Sequence, residues 1–148
     1  MEKTQLNTLL KLKQDDCDRA GEQLSALTAR RSQAQAQLEQ LHDYQKDYRT
    51  QLQTHAGQGL SAAKYANFHR FITTLEHAIS QQNKAVAQLD GQVMRQRQRW
   101  KTEHRHLQAY ETLQQRQAQQ EAGRLHRREQ REHDEIAARL LHTKAQET

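Results

Sequence analysis

Stepping alternately by four and three residues from Leu6 meets Leu10, Lys13, Cys17, Ala20, Leu24, Leu27, Arg31, Ala34, Leu38, Leu41, Gln45, Tyr48 and Leu52 without a break. A heptad seam of this length keeps one stripe of a helix turned toward a partner helix and implies left-handed supercoiling. Lys13, Arg31 and Gln45 are polar insertions that weaken the seam and can fix its register. The pattern stops at Thr54-His55-Ala56-Gly57-Gln58-Gly59-Leu60, where two glycines permit the positive φ values that end a helix and reverse the chain. Ser61 is placed to cap the next helix, its hydroxyl accepting from a backbone N–H of the first turn.

The same stepping then resumes through Tyr65, Phe68, Ile72, Leu75, Ile79, Gln82, Val86, Leu89, Val93, Gln96, Trp100, Glu103, Leu107 and Tyr110. Folding the chain back at Gly57 to Gly59 sets Tyr48 near Phe68, Leu41 near Leu75, Leu38 near Ile79, Leu27 near Leu89, Leu24 near Val93 and Leu10 near Leu107. Small Cys17 would fall near bulky Trp100 and Ala34 near Gln82, a size alternation that knobs-into-holes packing can use. The expected fold is all-α: two long helices in an antiparallel coiled-coil hairpin, with the C-terminal helix overhanging. The hairpin is expected to take the whole chain, 1–148, with a first helix over 1–54, a turn over 55–61 and a second helix over 62–146. At about 1.5 Å per residue the paired part would be a rod roughly 70 to 75 Å long with no cleft.

Composition separates this reading from disorder. The apolar share is 34% and the mean hydropathy -1.19, too low for a thick core but enough for a narrow seam. The chain has no proline and five glycines, and Gln, Ala, Leu, Arg and Glu favour helix. Beyond Tyr110 the seam degrades into Gln114, Gln117 and Glu121, while Leu113, Leu125, Ile136, Leu140 and Leu141 are scattered with no chain left to pair with. An unpaired helix is marginal in water, so this third is expected to fray or to hold a partner. The N-terminus shows no apolar signal region, no segment can span a bilayer, and the single Cys17 suits a reducing compartment; the expectation is a cytoplasmic protein.

No phosphate loop, nucleophile elbow or paired-carboxylate arrangement is present, so the sequence predicts no enzyme and no cofactor. The nine histidines include no pair spaced three or four apart, and Glu129 with His133 has no third ligand, so no metal site is expected either. Cys17 and Trp100 lie on the seam and read as core. Phe71 lies one step off it and, with Leu75, Ala78 and Gln82, makes a second stripe, apolar in its upper part; it either folds over the edge of the two-helix core or docks a protein. Net charge is +5 and the positive excess sits between Arg95 and Arg131. Arg95, Arg97, Arg99, Lys101 and Arg105 cluster around Trp100, and Arg116, Arg124, Arg127, Arg128 and Arg131 line the overhang. This face reads as a solvated surface, a phosphate binder or a dock for an acidic protein. Glu103, Glu111, Glu121 and Glu129 interrupt it and aromatics are sparse, which argues against nucleic acid.

Three stretches carry a resemblance: Leu41-His-Asp-Tyr-Gln-Lys-Asp-Tyr48-Arg, then Phe68-His-Arg-Phe-Ile-Thr-Thr-Leu-Glu-His-Ala-Ile79, then Trp100 followed by Leu107-Gln-Ala-Tyr-Glu-Thr-Leu-Gln-Gln-Arg116. In these, and in length and order over nearly the whole chain, the sequence resembles the FliJ family of the flagellar type III export apparatus. The resemblance implies a non-catalytic stalk that binds the hexameric export ATPase FliI and links it to the export gate FlhA, with FliH and late-substrate chaperones as further partners. It implies residence in the cytoplasm, held at the inner face of the inner membrane through the export apparatus, without membrane insertion. On this reading Arg116, Arg124, Arg127, Arg128 and Arg131 become the candidate ring contact, and Phe71, Leu75 and Ala78 the candidate gate-docking stripe. The stalk of a virulence-type secretion system, or a basic coiled coil that binds nucleic acid or a membrane surface, are the alternatives.

Overall fold

The computed structural model describes residues 2–147 and contains two α-helices, α1 (Lys3–Gly57) and α2 (Ala62–Glu147). Residues 1 and 148, the ends of the expected range, lie outside the described residues. The fold is the expected all-α helical hairpin, with no strand among the described residues. Helix α1 runs on through His55 and Ala56 to Gly57, and the turn closes with two short hydrogen-bonded steps, Gln58 N–H to His55 C=O at 3.1 Å and Gly59 N–H to Ala56 C=O at 3.4 Å. Of the two turn glycines, Gly59 takes a positive φ, 89°, and Gly57 does not; the sequence offered two glycines for the reversal and the chain uses one. Ser61 caps α2 as expected: its hydroxyl accepts from Lys64 N–H at 3.2 Å, and its carbonyl accepts the first helical bond, from Tyr65 N–H at 3.0 Å. Exposed threonines return their hydroxyls to the carbonyl four residues back, as Thr28 does to Leu24 at 2.8 Å, so they sit in the helices with their own donors satisfied.

The chain forms two compact units, one of residues 18–102 and one of the residues up to Cys17 with those from Glu103 onward. In the first, Ala34, Leu38, Ile79 and Val86 form a buried cluster with Leu41 and Leu89 packed on it. All are seam positions, paired in antiparallel order. Two polar seam residues make the same device twice. Gln82 Nε2 donates to the backbone C=O of Ala34 at 2.9 Å and to Gln37 Oε1 at 3.2 Å; two heptads along, Gln96 Nε2 donates to Ala20 C=O at 3.2 Å and to Gln23 Oε1 at 3.1 Å. Opposite each glutamine stands an alanine, whose small side chain leaves the helix carbonyl open to a second donor. The predicted Ala34–Gln82 neighbours are thus joined by a hydrogen bond as well as by size. Trp100 rests on Gly21, where an added Cβ would stand 3.4 Å from the indole Nε1. Arg31, one of the three polar insertions of α1, reaches out of the seam to Asp90 at 2.8 Å, an ion pair whose partners are both well exposed and which contributes about 0 to 1 kcal/mol.

In the second unit Leu6, Cys17 and Leu107 are buried, Asn7 Oδ1 accepts from Gln114 Nε2 at 3.1 Å, and the Cys17 sulfur lies 3.9 Å from His104 Nδ1. The order is again antiparallel. Glu103 keeps a buried carboxylate oxygen that has no hydrogen-bond partner. Since α1 starts at Lys3, α2 outruns it: Gln117 and Gly123 are half-buried, and every described residue from Arg124 onward is exposed. Helix α2 is nonetheless continuous to Glu147. One seam expectation fails. Tyr65 is exposed and stacks along its own helix on His69, ring centroids 6.3 Å apart and 5° from parallel, so the buried stripe of α2 begins at Phe68.

Candidate docking surfaces

Two surfaces carry most of the candidate residues, one beside the turn and one on the C-terminal arm of α2. Beside the turn, the ring of Phe71 lies on Tyr48, centroids 4.2 Å apart and tilted by 32°, and Tyr48 also meets Phe68 at 6.3 Å. His55 adds a ring contact to Phe68 at 5.6 Å. Phe71 therefore folds over the edge of the helix pair, the first of the two expectations, and still remains 42% exposed. Leu75, at 7%, is part of the core beneath, and Ala78 is half-buried. Of the three stripe residues, Phe71 offers most area to a partner; Ala78, two turns further along, lines a separate depression with His69, Thr73 and His77.

Sequence reasoning missed that Phe71 opens into a groove with Tyr48, His55, Leu60, Lys64 and Phe68, about 430 Å³ in volume. The signal was present in composition. Five of the seven Phe, Trp and Tyr residues lie between Tyr44 and Phe71, whereas a heptad seam is satisfied by Leu, Ile and Val. Aromatic side chains concentrated at one end are the kind of surface that protein interfaces favour.

On the arm, Arg124, Arg127, Arg128 and Arg131 surround one shallow depression, because spacings of three, four and seven put them on one helix face. Arg116 is exposed but belongs elsewhere, lining a separate depression with Leu6, Leu113 and Gln120. The structure thus brings together four of the five arginines expected to act as a set. Arg127 Nε donates to Gly123 C=O at 3.3 Å, and Arg128 pairs with Glu132 at 3.8 Å across an exposed turn. Among the described residues no three His, Cys, Asp or Glu side chains gather as a metal site, and no helix is long and apolar enough to cross a membrane.

Known proteins resemble this chain over most of its length. The chain is 35% identical to the flagellar FliJ protein of Salmonella typhi over 134 residues, covering 90% of this chain and 91% of the relative. It is 33% identical to the flagellar FliJ protein of Escherichia coli (strain K12) over the same number of residues and with the same coverage. The profile of the family described as "Flagellar FliJ protein" matches residues 1–146, and the chain belongs to that family.

Proposed function

We propose that this protein is a non-catalytic component of flagellar type III export, a stalk that engages the hexameric ATPase FliI through the C-terminal arm of α2 and the gate FlhA through the surface beside the turn. Membership of the flagellar FliJ family over nearly the whole chain carries the reading. The molecule's own chemistry supports it: the described residues bury a seam and little else, and both surfaces are suited to proteins. Arg124, Arg127, Arg128 and Arg131 supply an exposed cationic face, with Arg116 about two turns before it. Phe71, resting on Tyr48, supplies the aromatic one, with buried Leu75 and half-buried Ala78 following on the same stripe. FliH and late-substrate chaperones are further partners on this reading, and the protein works in the cytoplasm at the inner face of the inner membrane.

The test is ATP hydrolysis and ring formation by the same organism's FliI, with and without stoichiometric protein. Stimulation that disappears on reversing charge at Arg124, Arg127 and Arg128 is the expected result; unchanged hydrolysis and assembly would remove the stalk reading. For the gate, Phe71→Ala should leave far-UV helicity intact and weaken binding to the cytoplasmic domain of FlhA by about tenfold or more, as loss of a central aromatic contact does. Equal affinity would take the stripe out of the proposal.

A further inference from the structure

From Leu107 the heptad steps of α2 lead through Tyr110, Gln114, Gln117 and Glu121 to Arg124, Arg128, Arg131 and Glu135. Along the first part of this line α1 lies over α2: Leu107 is buried, Tyr110 is half-buried and Gln114 reaches Asn7. Because α1 starts at Lys3, none of it remains to cover the positions from Arg124 on. The face that packs against a helix at Leu107 becomes, nearly five turns later, a line of three arginines with Arg127 set beside it.

Within this group 124 and 127, 124 and 128, 127 and 131, and 128 and 131 are like-charged neighbours three or four apart, which destabilises an isolated helix. The one ion pair within the group, Arg128 with Glu132, is exposed on both sides and yields readily to a better placed acceptor.

We propose that this face receives an acidic helix of another protein, laid along α2 on the line that α1 occupies nearer Leu107. The inference deepens the reading of the arm as a docking element and names what docks. Two observations choose the occupant: the face continues an existing helix–helix seam, and it carries three cations where the seam would carry apolar side chains. A uniform polyanion fits less well, because Glu121 and Glu135 stand at the heptad positions that bracket the arginines and would oppose its charge. A helix can set carboxylates against Arg124, Arg128 and Arg131 and neutral or basic side chains against the two glutamates. The same face of a second copy is excluded, since arginines would meet arginines whichever way the copies ran. The partner's acidic stretch need span only about 11 Å, two helical turns, with carboxylates at intervals of four and three.

The probe is a labelled synthetic helix of about 28 residues, long enough to be helical, with Glu at three successive seam positions, Lys at the two that flank them and Ala elsewhere on that face. Full-length protein is titrated into it at about 50 mM salt and binding is read by fluorescence anisotropy. The Glu helix should bind at least about tenfold more tightly than its Gln counterpart, and R124E/R128E/R131E should abolish the difference. R97E/R99E/K101E, an equal change of net charge elsewhere on α2, should retain it. Equal loss in both triple variants, or equal affinity for the Glu and Gln helices, would overturn the proposal. So would an RNA oligonucleotide or phosphatidylserine vesicles binding as tightly as the Glu helix. The assay contains no ATPase, so its failure is distinct from failure of the stalk reading.

Discussion

At the scale of single residues, the chain separates positions that look alike in sequence. Gly57 and Gly59 are two apart in the same turn, yet Gly57 ends a helix with open space around it while Gly59 sits at φ 89°. Alanine at 57 removes flexibility from the unfolded chain at no steric expense and should stabilise by about 0.5 to 1 kcal/mol; alanine at 59 forces a left-handed residue and should destabilise by about 1 kcal/mol. Opposite shifts of the urea midpoint in the two variants check this, and shifts of the same sign would refute it. Glu103 is the other informative residue. Its seam position buries one carboxylate oxygen without a partner, a desolvation that nothing offsets. Glu103→Leu should therefore raise stability by about 1 kcal/mol, read as a higher thermal midpoint, whereas a loss would mean that the carboxylate is held by a contact that leucine cannot replace.

At the scale of elements, the sequence was legible where periodicity alone decides. All fourteen seam positions of α1, from Leu6 to Leu52, are buried or half-buried, as are those of α2 from Phe68 to Tyr110. The heptad rule depends only on spacing and so survives ignorance of every side-chain contact. What it could not supply was direction. Gln82 read as the larger partner of Ala34 and Gln96 as a plain seam position, and the structure makes both into paired clamps onto Ala34 and Ala20, because an amide can reach a helix carbonyl only where the facing side chain is small. Tyr48 likewise read as core, although its ring also supports the exposed Phe71. The clamp makes a prediction that the plain seam does not. Ala34→Leu adds apolar volume at a heptad position, which a simple hydrophobic seam would welcome, but here it covers the carbonyl and displaces Gln82. It should cost about 2 kcal/mol through overpacking and a stranded amide, while leucine at exposed Ala137 should change little. Equal thermal midpoints for the two variants would show that the Gln82 bonds contribute nothing.

At the scale of the whole molecule, the buried core and the exposed arm occupy different stretches of chain. Every side chain of the buried cluster lies between Ala34 and Leu89, whereas from Arg124 to Glu147 no described residue is better than exposed. The arm is held helical by propensity and by the turns before it, since no packing reaches it. Local opening there takes little free energy, whereas opening around Ile79 and Val86 requires unpacking the helix pair. Amide hydrogen exchange should accordingly be faster by orders of magnitude over 125–147 than over 72–89. The sequence pointed to this in one respect, the loss of seam after Tyr110, and could not say whether the stretch would fray or persist, because that balance is set by helix propensity against solvation and not by pattern. Deleting residues 124–148 should leave the thermal midpoint of the rest within about 2 °C, because no buried apolar area is removed. If the proposed stalk reading holds, the same deletion should abolish stimulation of the export ATPase while leaving affinity for the gate unchanged. A truncated protein that melts several degrees lower would show that the arm folds back on the helix pair, and one that still stimulates hydrolysis would move the ring contact away from the arginines.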